Sequence, residues 1–66
     1  MKTTRYEITV GGRLSDTMAA AFDGLTATHT PAGTVLDGDV RDQAALFGLL
    51  EQIESLGLEL VDVRRR

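Results

Sequence analysis

From Arg5 to Val10 the chain alternates, with Tyr6, Ile8 and Val10 on one side and Arg5, Glu7 and Thr9 on the other. A period of two, carried by β-branched and aromatic residues, predicts a half-buried strand, and Gly11-Gly12 ends it. The period then changes. Leu14, Met18 and Phe22 recur at intervals of four, with Ser15 available as an N-cap, so a short helix with one apolar face is expected before Asp23-Gly24 stops it. "LTATHT" (25–30) sets Leu25, Ala27 and His29 on one face and Thr26, Thr28 and Thr30 on the other. "GTVLDGDV" (33–40) reads as the next strand. "TPAG" joins them as a hairpin turn, its proline fixing one φ and its glycine free to take a positive one.

A longer helical pattern follows. Leu46, Leu49, Leu50, Ile53 and Leu56 recur at i, i+3, i+4, i+7 and i+10, with Glu51, Gln52, Glu54 and Ser55 on the wet side. Asp42 stands as its N-cap and Gly57 as the left-handed residue just past its end, with Leu58 placed to pack back on the last turn. "LELVDV" (58–63) closes the chain as a strand. The order β-α-β-β-α-β predicts an α+β fold of the ferredoxin-like kind: a two-layer sandwich with a four-stranded antiparallel sheet and both helices on one face. If the first helix were only a loop, the order would be β-β-β-α-β.

Composition narrows the chemistry. Residues 1–66 read as one small α+β domain, and a chain this short buries only about 60% of its unfolded surface. Disulfides, a structural metal or association can make up the deficit. The sequence has no cysteine and one histidine, which removes thiolate and histidine-rich metal sites and leaves self-association. Seven basic and ten acidic residues give a net charge of −3, against a nucleic-acid partner and in keeping with the cytoplasm. The start, "MKTTRYEITV", lacks the apolar core of a signal peptide, and no apolar run approaches the roughly 20 residues that span a bilayer. No membrane partner is expected. Arg64-Arg65-Arg66 reads as a frayed basic C-terminal end.

The segment "VLDGDVRDQAALFGLLEQIESLGLELVDVRR" resembles a group of short, uncharacterised bacterial proteins. Their terminal signature is L-x-G-x-V-x-D-Q-A-A-L-H-G-L-L-x-x-I-x-x-L-G-L-x-L. Leu36, Gly38, Val40, Asp42, Gln43, Ala44, Ala45 and Leu46 match it, as do Gly48, Leu49, Leu50, Ile53, Leu56, Gly57, Leu58 and Leu60. "FDGLTATHT" (22–30) is similar to the middle portion of the same group. Phe47 departs from the pattern, which has histidine there. The resemblance speaks for the fold and assigns no activity.

Each candidate site has a plainer reading beside it. His29 as a general base needs an orienting carboxylate and a hydroxyl to activate, and no spacing supplies them; a histidine on a strand is the simpler account. Asp37-Gly38-Asp39 with Asp42 looks like part of a calcium loop but lacks the distal glutamate, so a tight turn before a helix N-terminus is expected. Gly11-Gly12 lacks the rest of a phosphate-binding loop. Tyr6, Phe22 and Phe47 are the only aromatics, too few for a base-stacking platform.

The helix-free sheet face is expected to carry Glu7, Thr9, Thr26, Thr28, Val35, Leu58 and Leu60, with Phe47 at the border of its helix stripe. The functional expectation is a non-enzymatic interaction module without a cofactor. It would form a homodimer, or bind another protein, through the open sheet face or an edge strand, with Thr26, Thr28, Val35, Phe47, Leu58 and Leu60 as interface residues. The alternative is a regulatory domain that binds a small metabolite at a subunit junction.

Overall fold

Alternating and helical stretches become six elements in the computed structural model, which describes residues 3–66. They are β1 (Thr4–Val10), α1 (Asp16–Ala20), β2 (Thr26–Thr30), β3 (Gly33–Val40), α2 (Gln43–Ser55) and β4 (Leu60–Arg65). The fold is α+β. Its four strands form one open sheet in the order β2-β3-β1-β4, and every neighbouring pair is antiparallel. Since α1 forms, the β-β-β-α-β reading is set aside. It is short, with Ser15 as N-cap accepting from Met18 N–H at 3.2 Å.

The core sits between the sheet and both helical segments. Ile8 and Val10 of β1 and Leu36 and Val40 of β3 meet Leu46 and Ile53 of α2, and Leu14 and Phe22, which flank α1, close the same cluster. Each fully buried large apolar side chain contributes about 1.5–3 kcal/mol. A hydrogen bond from Gln52 Nε2 to Ala21 O at 3.1 Å ties α2 to the end of α1.

Local signals set the boundaries of α2. Ala45 N–H donates to Asp42 Oδ1 at 2.8 Å. At the other end Gly57 takes φ 75°, its N–H reaches Glu54 O at 3.0 Å, and Leu58 N–H reaches Ile53 O at 3.1 Å. This pair of bonds satisfies two orphan carbonyls and turns Leu58 inward. In the β2–β3 hairpin Gly33 has φ 140°, and a Cβ there would lie 2.1 Å from Val10 O. Only glycine fits without a shift of backbone.

Three expectations need correction. Asp37-Gly38-Asp39 is not a tight turn: all three lie within β3, and only Asp42 serves the helix. The basic end is not frayed, because Arg64 and Arg65 belong to β4 and Arg66 N–H donates to Arg5 O at 2.8 Å. Pairing with β1 carries the strand on where propensity alone would stop it. Finally, β4 contains an irregularity: Val10 pairs Leu60 while Thr9 pairs Asp62, so Val61 is the extra residue of a bulge. The bulge reverses the parity of the residues before it, with consequences for Leu58 and Leu60.

Candidate functional site

Cross-strand register arranges the open face in rows. Thr28, Val35, Thr9 and Asp62 lie side by side across the sheet, and Thr26, Asp37, Glu7 and Arg64 form the next row. Thr26, Thr28 and Val35 therefore share a face as expected. Leu58 and Leu60 do not join them. With the bulge at Val61, they line a groove of about 260 Å³ on the helix side, between β4 and Leu50, Glu51, Ile53 and Glu54 of α2. Phe47, 57% exposed on α2, lines neither this groove nor the open-face cleft. The six expected interface residues thus occupy three separate places.

Val61 takes the position given to Leu60 in the sequence reading. It lines a cleft of about 330 Å³ on the open face together with Thr9, Val35, Ala32, Glu7, Asp62 and Arg64. Leu60 is 46% exposed and Val61 52% exposed. Adjacent on an edge strand, they present apolar surface on both sides of that edge. The signal for Val61 was in the sequence, since "LELV" places apolar residues on both parities, but the bulge that assigns them is a property of the pairing with β1.

The open face is also charged. Arg5 holds Asp37 through two bonds, Nε to Oδ1 at 3.0 Å and Nη2 to Oδ2 at 2.7 Å. This hydrogen-bonded contact is the main cause that keeps the Asp37 carboxyl below the usual carboxylate range and raises the Arg5 guanidinium above its own. Arg66 approaches Glu7 at 3.4 Å and Arg64 approaches Asp62 at 2.8 Å. Such exposed pairs orient more than they stabilise.

A second feature lies at the hairpin end of the sheet. Thr34, fully buried at 0% exposure, is the one buried polar residue among those described. Its hydroxyl meets three groups: Gly12 O at 3.1 Å, Leu14 N–H at 3.3 Å and His29 Nδ1 at 3.2 Å. A hydroxyl has one hydrogen and two lone pairs. The carbonyl can only accept and the amide can only donate, so the arrangement that satisfies all three has Thr34 donating to Gly12 and accepting from Leu14 and His29. His29 thus carries its hydrogen on Nδ1. The histidine does not face a carboxylate there, which removes the orienting partner a catalytic base would use. Beside it, a cleft of about 270 Å³ is lined by Gly12, Arg13, His29, Thr30, Pro31, Ala32 and Gly33. Neither Thr34 nor Arg13 stood out in the sequence; the shared parity of Thr34 with Leu36 and Val40 is the signal that places it inside.

Among the described residues no cluster of three or more His, Cys, Asp or Glu side chains could hold a metal ion, and no helix is long and apolar enough to cross a membrane. A family model, the domain of unknown function DUF8691, matches residues 5–64. The chain belongs to that family. No curated protein and no solved structure matches it.

Proposed function

We propose that this DUF8691 domain is a non-enzymatic interaction module that pairs with a second copy of itself along β4. The observation that carries the reading is the exposure of Leu60 and Val61 on the two sides of one edge strand, beside a helix-side groove and an open-face cleft. A strand added along that edge would satisfy its free backbone groups and cover apolar surface above and below at once. Charge favours a second copy as the occupant. Arg64 and Arg65 lie at one end of β4; Glu59 lies at the other, with Glu51 and Glu54 on the rim of the groove. Antiparallel pairing about a two-fold axis brings each basic end beside the partner's acidic end. Association would also supply burial that so short a chain lacks.

The fold assignment that goes with this reading is the ferredoxin-like sandwich. Its support is the strand order taken from the β4 edge, β4-β1-β3-β2, with antiparallel neighbours throughout. Two copies joined at β4 would share one continuous eight-stranded sheet.

Light scattering across a concentration series tests the proposal. A dimer is expected at micromolar concentration, with a melting temperature that rises with concentration, and Leu60→Glu should return it to monomer. A wild-type monomer at every concentration, melting at one temperature throughout, would overturn the reading.

A further inference from the structure

We infer that the cleft beside the β2–β3 hairpin binds the phosphate group of a small phosphorylated molecule, held by Arg13 and by Nε2 of His29. Three observations carry this. First, among the described residues Arg13 and His29 are the only ionisable ones lining the cleft and no carboxylate lines it, although the chain as a whole carries a net charge of −3. Second, Arg5, Arg41, Arg64 and Arg66 each have an ion pair, whereas among the described residues Arg13 and Arg65 have none, and of these two Arg13 lines the cleft. The Arg13 guanidinium fork is uncommitted, and a fork of parallel N–H donors suits phosphate oxygens.

Third, the buried hydroxyl of Thr34 fixes the imidazole by its Nδ1 edge. Nε2 is then the nitrogen left to a ligand. In the neutral ring it accepts a hydrogen bond from a P–OH. In the imidazolium it donates to a P–O⁻, and Nδ1–H stays on Thr34 in both states, so neither form disturbs the buried network. A phosphate ester offers both kinds of oxygen near neutral pH because its second ionisation falls close to pH 6. A carboxylate or sulfate offers only acceptors. The size agrees: about 270 Å³ is below the roughly 300–1,000 Å³ of sites that enclose a drug-sized ligand, so the cleft takes one group and leaves the remainder in solvent. The cleft lies at the β2–β3 hairpin, and β2 is the edge opposite β4, so this inference does not depend on the pairing proposal.

The probe is inorganic phosphate, added at constant ionic strength against chloride, with sulfate and acetate in parallel. Because the chain has a single histidine, its ring signals in the proton NMR spectrum report the site without ambiguity. A saturable shift of those signals with phosphate is expected, with sulfate weaker and acetate without effect. Arg13→Gln should weaken phosphate about tenfold, the usual scale for one charge-assisted contact. His29→Asn keeps a donor toward Thr34 and removes the Nε2 position. It should fold normally by thermal melting and lose the phosphate-induced shifts of the Gly12 and Gly33 amides. No saturable shift in the wild type, or unchanged affinity in Arg13→Gln, would overturn the site. Sulfate binding as tightly as phosphate would overturn the choice of phosphate.

Discussion

Among the described residues, β2 and β4 each leave one side of the backbone ladder without a neighbouring strand, yet their side chains treat that exposure differently. β2 is five residues long, shows Thr26, Thr28, His29 and Thr30 to solvent, and runs straight into Pro31. Short length, polar side chains and a following proline discourage a further strand. β4 shows Leu60 and Val61 instead, bent apart by a bulge so that each covers a different side. The lesson is that two edges of one small sheet need not be equivalent. The polar edge frames a cleft at its hairpin; the apolar edge is the one assigned to a partner in the proposed pairing.

Both edges depend on the central strands, and the largest effect is expected there. Leu36 of β3 is buried against Ile8, α2 and the α1 flank. Leu36→Ala should cost about 2–5 kcal/mol by lost burial and a residual cavity, much of the margin of so small a fold. Urea denaturation followed by circular dichroism measures it, and pairing and phosphate binding should fall together with the fold. Survival of either proposed activity in the unfolded variant would mean that the edges do not rest on the sheet.

Next in size is Gly33→Ala, which acts at the hairpin end of the sheet, where β3 meets Val10 of β1. A Cβ against Val10 O in a left-handed backbone region cannot be accommodated without moving the hairpin, at a cost of about 3 kcal/mol. The NMR changes should centre on His29, Thr34 and the hairpin. Among molecules that remain folded, association should be untouched. Should the affinity between copies collapse instead, the hairpin end would belong to the pairing surface, through β2 or through Val10 and its partner Leu60.

A direct contrast of the two edges uses one charge on each. Val61→Lys should weaken the proposed dimer at least tenfold, or about 1.4 kcal/mol, while Thr28→Lys should leave it unchanged, as measured by analytical ultracentrifugation. Equal loss in both variants would point to the open face as a whole, where Val35 and Thr9 lie between the two edges, and would remove the distinction between them.

Most of the frame was legible because its signals are local. Asp42, Gly57 and the Thr30–Gly33 turn act within four or five residues of themselves, and the alternation of Tyr6, Ile8 and Val10 states which side of β1 is dry. What was not legible depends on a neighbour distant in sequence. "LELVDV" supports two parities, and only the bulge against Thr9 and Val10 sends Leu58 and Leu60 to the helix side and Val61 to the open face. Three arginines in a row have no intrinsic reason to extend a strand, yet Tyr6 and Glu7 provide the partners that hold Arg65 and Arg64 in one. The Thr34 hub was hidden for the same reason. Its three partners lie 5, 20 and 22 residues away, and the parity with Leu36 that places Thr34 inside names none of them.

The smallest effect concerns the charges between the edges. Asp37 stands opposite Thr26 of β2, and Arg5 reaches it from β1, so this pair braces the polar side of the sheet, whereas Glu7 and Arg66 brace the β4 side. Arg5 lowers the folded-state ionisation of Asp37 below that of the unfolded chain. The stabilisation is therefore fully present above the unfolded carboxyl range near pH 3.9, and it is lost as pH falls through the lower folded-state value. Asp37→Asn should lower the melting temperature slightly at neutral pH, and the gap from wild type should close under more acidic conditions. Arg5 is exposed and Asp37 partly so, and added salt should therefore narrow the gap at neutral pH as well. A gap that stays constant in acid would assign the effect to packing beside Thr26, and the brace on the polar side would then be geometric rather than electrostatic.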